Sequence, residues 1–185
     1  MSGRFVIDPA SSRISIRTRA QGMFAAFAHD LELASAEVRG RAVDEGSSWS
    51  ADIVVPVPSI RVVGTLRGER VDPNALSAAD RADIERRLRG EVLVAPEVNA
   101  TARGTGRDRG EVTVAVGGAR ATVPTTLQIA EEAGGRVRAS GRAEVSLSGL
   151  RIREVKGPLG AFKVSDKVEV LYELALAPES SAGKA

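Results

Sequence analysis

The side chains with the widest chemical range are few in this sequence. There is one His, His29, and no Cys. His29 sits beside Asp30 in Phe27-Ala28-His29-Asp30-Leu31. An adjacent Asp could orient an imidazole for general-base work, but a nucleophile must be presented to it. No Gly-x-Ser-x-Gly turn offers a serine. A metal site on His29 and Asp30 lacks second and third nitrogen ligands, and there are no thiolates to replace them. Asp80 and Asp83 share a helical face at a helix start, where they serve helix electrostatics. Glu131-Glu132 ends a strand before a turn. Gly104-Thr105-Gly106 with Gly110 has the glycines of a phosphate loop, but lacks the Gly-Lys-Ser/Thr ending and a following helix. Catalysis, a metal and a cofactor are therefore not expected. His29 and Asp30 remain candidates for a polar contact to a ligand headgroup.

Composition narrows the remaining classes. The chain has 185 residues, 26 of them basic and 24 acidic, for a net charge of +2. One domain over residues 1–177 with a flexible tail over 178–185 is the simplest division, and a core of that size needs no staples. Charges are dispersed and aromatics make up 3%. Nucleic-acid binding would need a basic surface with aromatic platforms, so it is not expected. No apolar run approaches the roughly 18 residues of a membrane span. The start, Met1-Ser2-Gly3-Arg4-Phe5, enters a patterned strand without the apolar stretch of a signal peptide, so the expected location is cytoplasmic.

The dominant apolar period is two, the signature of half-buried strands. Ile14 and Ile16 alternate with Arg13, Ser15 and Arg17. Trp49, Ala51, Ile53, Val55 and Val57 share one parity. Val112, Val114 and Val116 form a third face, and Val123, Thr125, Leu127 and Ile129 a fourth. Val137 through Leu147 and Val168 through Leu176 continue the pattern. The run 31–43 changes parity, which predicts a β-bulge near Ala34-Ser35. Turn signals such as Asp44-Glu45-Gly46, Gly117-Gly118 and Gly134-Gly135 separate the runs. Gly40, Gly141 and Gly149 on apolar faces suit a sharply curved, closed sheet.

One segment departs from this period. Ser77-Ala78-Ala79-Asp80 reads as a capping box with Asp in place of Glu. Ile84 and Leu88 lie one turn apart on one face, and Gly90 is placed to cap the end. A single helix of about three turns is predicted between two sets of strands.

Large apolar side chains cluster outside the strands. Met23, Phe24 and Phe27 lie in one Gly-flanked loop and Phe162 in another, whereas strand faces carry mostly Ala, Val, Ile and Gly. This pattern predicts a curved barrel with an aromatic lip. Whether the loops surround an open lumen or plug its ends stays open at this point, because an eight-stranded barrel can be filled by side chains or hold one small ligand.

The order of elements resembles the YceI-like family of bacterial lipocalin-like barrels. Phe5-Val6-Ile7-Asp8-Pro9-Ala10-Ser11-Ser12 is similar to that family's opening segment. His29-Asp30-Leu31, Pro58-Ser59-Ile60-Arg61-Val62, the helical stretch over 79–93 and Val164-Ser165-Asp166-Lys167-Val168-Glu169-Val170 follow in the family's order. The similarity runs over about residues 4–177. Two motifs depart from it: the turn at 114–120 lacks the family's His, and the strand at 96–102 lacks its Phe. The resemblance implies an all-β, antiparallel lipocalin-like barrel of about eight strands with one short inserted helix. It also implies non-enzymatic binding of an isoprenoid-like or other amphiphilic molecule, without membrane insertion. Ile14, Ile16, Ile53, Val55, Val114, Leu127, Val145 and Val170 are then the expected lumen walls. The alternative is a filled barrel that acts as a protein–protein interaction module, in its simplest form a homodimer.

Overall fold

A computed structural model describes residues 2–22, 29–157, 160 and 162–179. Fifteen strands and one α-helix are described. The expected lip residues Met23, Phe24 and Phe27 lie outside the described residues.

Three breaks explain most of the architecture. β1 (Ser2–Ile7) and β2 (Arg13–Thr18) flank a 3-10 turn over Pro9–Ser11, where the Asp8 carboxylate accepts the Ala10 N–H at 3.1 Å. β4 (Asp30–Ser35) and β5 (Arg39–Glu45) are separated by residues 36–38. β6 (Ser48–Pro56) and β7 (Arg61–Arg67) are separated by a 3-10 turn over Val57–Ser59. Proline lacks a ladder donor, so Pro9, Pro56 and Pro58 end pairing where they stand. Each pair is one long strand kinked partway up. At one level the halves pair as β1–β5–β6, and at the other as β2–β4–β7.

The remaining long strands are β9 (Glu97–Thr105), β10 (Arg109–Val116), β11 (Ala119–Thr126), β13 (Val137–Ser146) and β15 (Lys167–Pro178). All neighbours are antiparallel. A circuit runs β1–β5–β6–β9–β10–β11–β13–β15 and back to β1. Its thinnest link is β11 to β13, through Thr125 opposite Ala143. The unbroken β15 pairs β2 along its first half and β1 along its second, and so joins both levels. Two short strands, β3 (Ala20–Gln21) and β14 (Lys163–Val164), pair at one end of the barrel. A hairpin strand, β8 (Arg70–Asp72), extends β7, and β12 (Gln128–Glu131) pairs with the start of β13.

Above its kink β7 leaves β9, and the helix α1 (Ala78–Arg87) fills the gap. The expected capping box is present: Ser77 Oγ accepts the Asp80 N–H, and the Asp80 carboxylate accepts the Ser77 N–H. The helix also occupies part of the free edge of β7. Arg81 Nη1 donates to the Val62 and Val63 carbonyls at 2.8 and 3.1 Å, and Glu85 Oε1 accepts the Val62 N–H at 3.1 Å. Exposed strand edges invite foreign pairing, and this contact covers the edge at Val62 and Val63.

Several expectations need correction. The parity change in 31–43 arises from the break at 36–38, while the register irregularity lies between Glu32 and Leu33. Gly90 does not cap the helix, which continues as a π-helical turn over Leu88–Val92. Gly149 lies in a 3-10 turn, Ser148–Leu150, beyond β13. Leu127 separates β11 from β12, so 123–129 is not one strand. β15 runs through Pro178, and the Glu179 N–H donates to the Arg4 carbonyl at 2.8 Å, so the chain is held beyond residue 177. No helix among the described residues is long and apolar enough to cross a membrane.

Glu85 is the acceptor on which helix docking rests. Burial pushes its carboxyl up, but the Arg61 guanidinium at 2.7 Å and the Val62 amide outweigh that and hold it below its ordinary value of 4.5. The carboxylate form therefore stabilises the fold above that value, and its contribution fades as the pH falls below it. Glu85→Ala is expected to cost about 1–3 kcal/mol at pH 7, since it leaves a buried amide and two guanidinium groups without their acceptor. The loss should shrink in acid, as read by urea denaturation at pH 7 and pH 3. An equal loss at both would contradict the assignment.

Candidate functional site

The inner faces of both barrel levels enclose one chamber of about 480 Å³, in the range of roughly 300–1,000 Å³ typical of small-molecule sites. Alternation produces it: in each strand one parity points inward. Ala42, Ala51, Ala100, Ala102, Ala139 and Ala143 all line it, and their short side chains leave the centre unfilled.

The expected wall residues fall where parity put them. Ile14, Ile16, Ile53, Val55, Val114, Leu127, Val145 and Val170 all line the chamber. Val55, Leu127 and Val145 are buried, and the rest are half-buried. Phe162 also lines it, at the end near α1. There the Phe162 carbonyl accepts the Gly157 N–H at 2.9 Å, and β14 pairs with β3 alongside. His29 lines the same end, with Arg19, Arg87 and Lys156. Asp30 does not line the chamber. Its Oδ1 accepts the Ala20 N–H at 2.8 Å and its Oδ2 pairs with Arg19 at 3.1 Å, so it ties the start of β4 to β3.

Sequence reasoning missed three features. Ile84, Leu88 and Val92 line the chamber from α1 and its π-helical turn, so the helix supplies wall as well as edge cover. Their helical spacing was visible, but not which space they would face. Tyr172 and Thr125 form the wall's polar spot. Tyr172 Oη donates to the Thr126 carbonyl at 2.5 Å and lies 3.1 Å from Thr125 Oγ1. Gly141 makes room for this phenol: a Cβ there would collide with Tyr172 Oη and the Thr126 carbonyl. Trp49 lies near the opposite end from α1, with Arg107 and Glu131, which pair at 2.7 Å. Its odd parity, shared with Ala51, Ile53 and Val55, was the available signal.

No group of three or more His, Asp or Glu side chains suited to a metal occurs among the described residues. The chamber's chemistry is burial: apolar area removed from water contributes about 25 cal/mol per Å².

Fold and chamber together define a lipocalin-like antiparallel barrel with an apolar lumen. Several solved structures share this architecture, among them the following two. BcnA of Burkholderia cenocepacia superposes with a TM-score of 0.63 at 16% identity, over 91% of this chain and 98% of its own. A polyisoprenoid binding domain from Saccharophagus degradans, implicated in plant cell wall breakdown, superposes with a TM-score of 0.65 at 10% identity, over 95% of this chain and 98% of its own. At these identities the likeness establishes the fold. The fold implied by the YceI-like resemblance is the fold found. No family model matches the sequence, and no curated protein matches it.

Tyr172 is the sole tyrosine, so its titration is directly readable. Burial pushes its phenol above the ordinary value of 10.0, and the Thr125 hydroxyl partly offsets this. Alkaline absorbance titration should show a single step above pH 10, moved higher still in Thr125→Val. A midpoint at 10 in both would contradict the half-buried placement of the phenol.

Proposed function

We propose that this protein is a non-enzymatic binder of a hydrophobic or amphiphilic chain, held in the barrel lumen for carriage or sequestration. The observation that carries this reading is the continuous apolar chamber of about 480 Å³. A dry apolar cavity forfeits dispersion contacts on its inner side, and a chain of matching shape restores them. The solved polyisoprenoid binding domain of the same fold supports an isoprenoid-like occupant. A cytoplasmic site of action remains part of the proposal.

The alternative, a filled barrel acting through its surface, has less support, since the described residues line a chamber of about 480 Å³. The described part of its surface also offers little to a partner. Among the described residues only Val6 and Val94 are exposed large hydrophobics. Scattered single apolar residues do not make an interface.

Titration with prenyl alcohols or fatty acids, followed by thermal denaturation, tests the reading. A bound chain at a hundred times its Kd should raise Tm by roughly 5–10 °C. Ala100→Phe places a ring in the lumen, where there is space for it. This variant should keep the unliganded Tm and lose at least about ten-fold in affinity. Unchanged affinity in a folded Ala100→Phe would place binding elsewhere.

A further inference from the structure

The end of the lumen away from α1 is built differently from the rest. The strands cross there in one row: Trp49 of β6 is opposite Gly104 of β9, and Gly110 of β10 and Thr125 of β11 continue it. The row holds the largest side chain of the barrel beside two residues with none. Two neighbours leave no room for a side chain at either glycine: the indole and a backbone carbonyl, that of Arg109 at Gly104 and that of Arg103 at Gly110. A Cβ on Gly104 would come within 2.6 Å of Trp49 Cζ2, and one on Gly110 within 2.7 Å of the same atom. The ring therefore lies across the inner face of β9 and β10, in the space that their side chains would otherwise take. Its Nε1 donates to the Gly106 carbonyl at 2.9 Å, which pins it to the β9–β10 turn. Beside it, Arg107 and Glu131 satisfy each other, so this end offers a matched ion pair and an aromatic face. Trp49 also borders a depression on the outer surface between Arg103, Arg109 and Glu111, so removing the indole opens the lumen toward that side.

We propose that Trp49 is the floor of the lumen: the end of the hydrophobic chain stops against the indole, and this residue sets the longest chain the barrel accepts. This inference rests on the lumen-binding reading. The head of the chain then lies toward α1, among Arg19, His29, Arg87 and Lys156.

Trp49 is the only tryptophan, so its emission reports the floor alone. The native protein is titrated with fatty acids brominated either at the chain end or beside the carboxylate, with thermal shift recording binding independently. Quenching by the end-brominated chain and little by the other is the expected result. The opposite order, or equal quenching, would overturn the floor assignment while leaving lumen binding in place. Absence of a thermal shift with any chain would remove the binding reading itself. A second measurement uses fatty acids of increasing length. Each methylene that fits should raise affinity about four-fold. In the native protein the gain should stop at a defined length, and in Trp49→Ala it should continue to longer chains. The same stopping length in both proteins would overturn the proposal.

Discussion

The structure depends on a mismatch between wall and filling. Strand number and tilt set the width of a barrel, and side-chain volume must then occupy it. Here long antiparallel strands enclose a space whose inner positions are repeatedly alanine. Protein interiors otherwise pack to the density of organic crystals. The lumen departs from that rule over a volume suited to a small ligand. Described residues line both ends, with α1 and the β3–β14 pair at one and Trp49 at the other. The unfilled centre is therefore a chamber of the fold and not slack between loops.

Keeping that chamber open places demands on the backbone. Three long strands kink at 3-10 or irregular segments, and the wall divides there into two levels. The kink before β7 exposes an edge that α1 then covers through Arg81 and Glu85. On the outer face of β4, Glu32 is buried beneath Arg13 and Arg17, at 3.3 and 2.9 Å. Such a pair adds little net stability, but removing one partner leaves a buried charge and is costly. Arg17 also reaches Glu169 of β15, so the same guanidinium links β2, β4 and β15. Charge outside and alanine inside come from the same alternation read on opposite parities.

That alternation is why much of the barrel was legible in the sequence. The wall residues from Ile14 to Val170 needed only parity, and the cap formed by Ser77 and Asp80 needed only local chemistry. β7 was not legible as a strand because Val62, Gly64, Thr65 and Leu66 are buried without regard to parity, between lumen, helix and hairpin. The helix end was misplaced because the π-helical turn carries the chain through Gly90, overriding the local capping signal. Asp30 looked like a headgroup contact because it neighbours His29, whereas its carboxylate closes the β3–β4 connection. The role of Trp49 was hidden for a different reason. Its space comes from Gly104 and Gly110, more than fifty residues away in sequence, and only strand register brings the three together.

The most direct measurement is native mass spectrometry of the purified protein before and after extraction with organic solvent. The account predicts a bound mass in the lipid range that extraction removes and that returns when a prenyl or fatty chain is added back. A single unliganded mass that gains nothing from any added chain would contradict it.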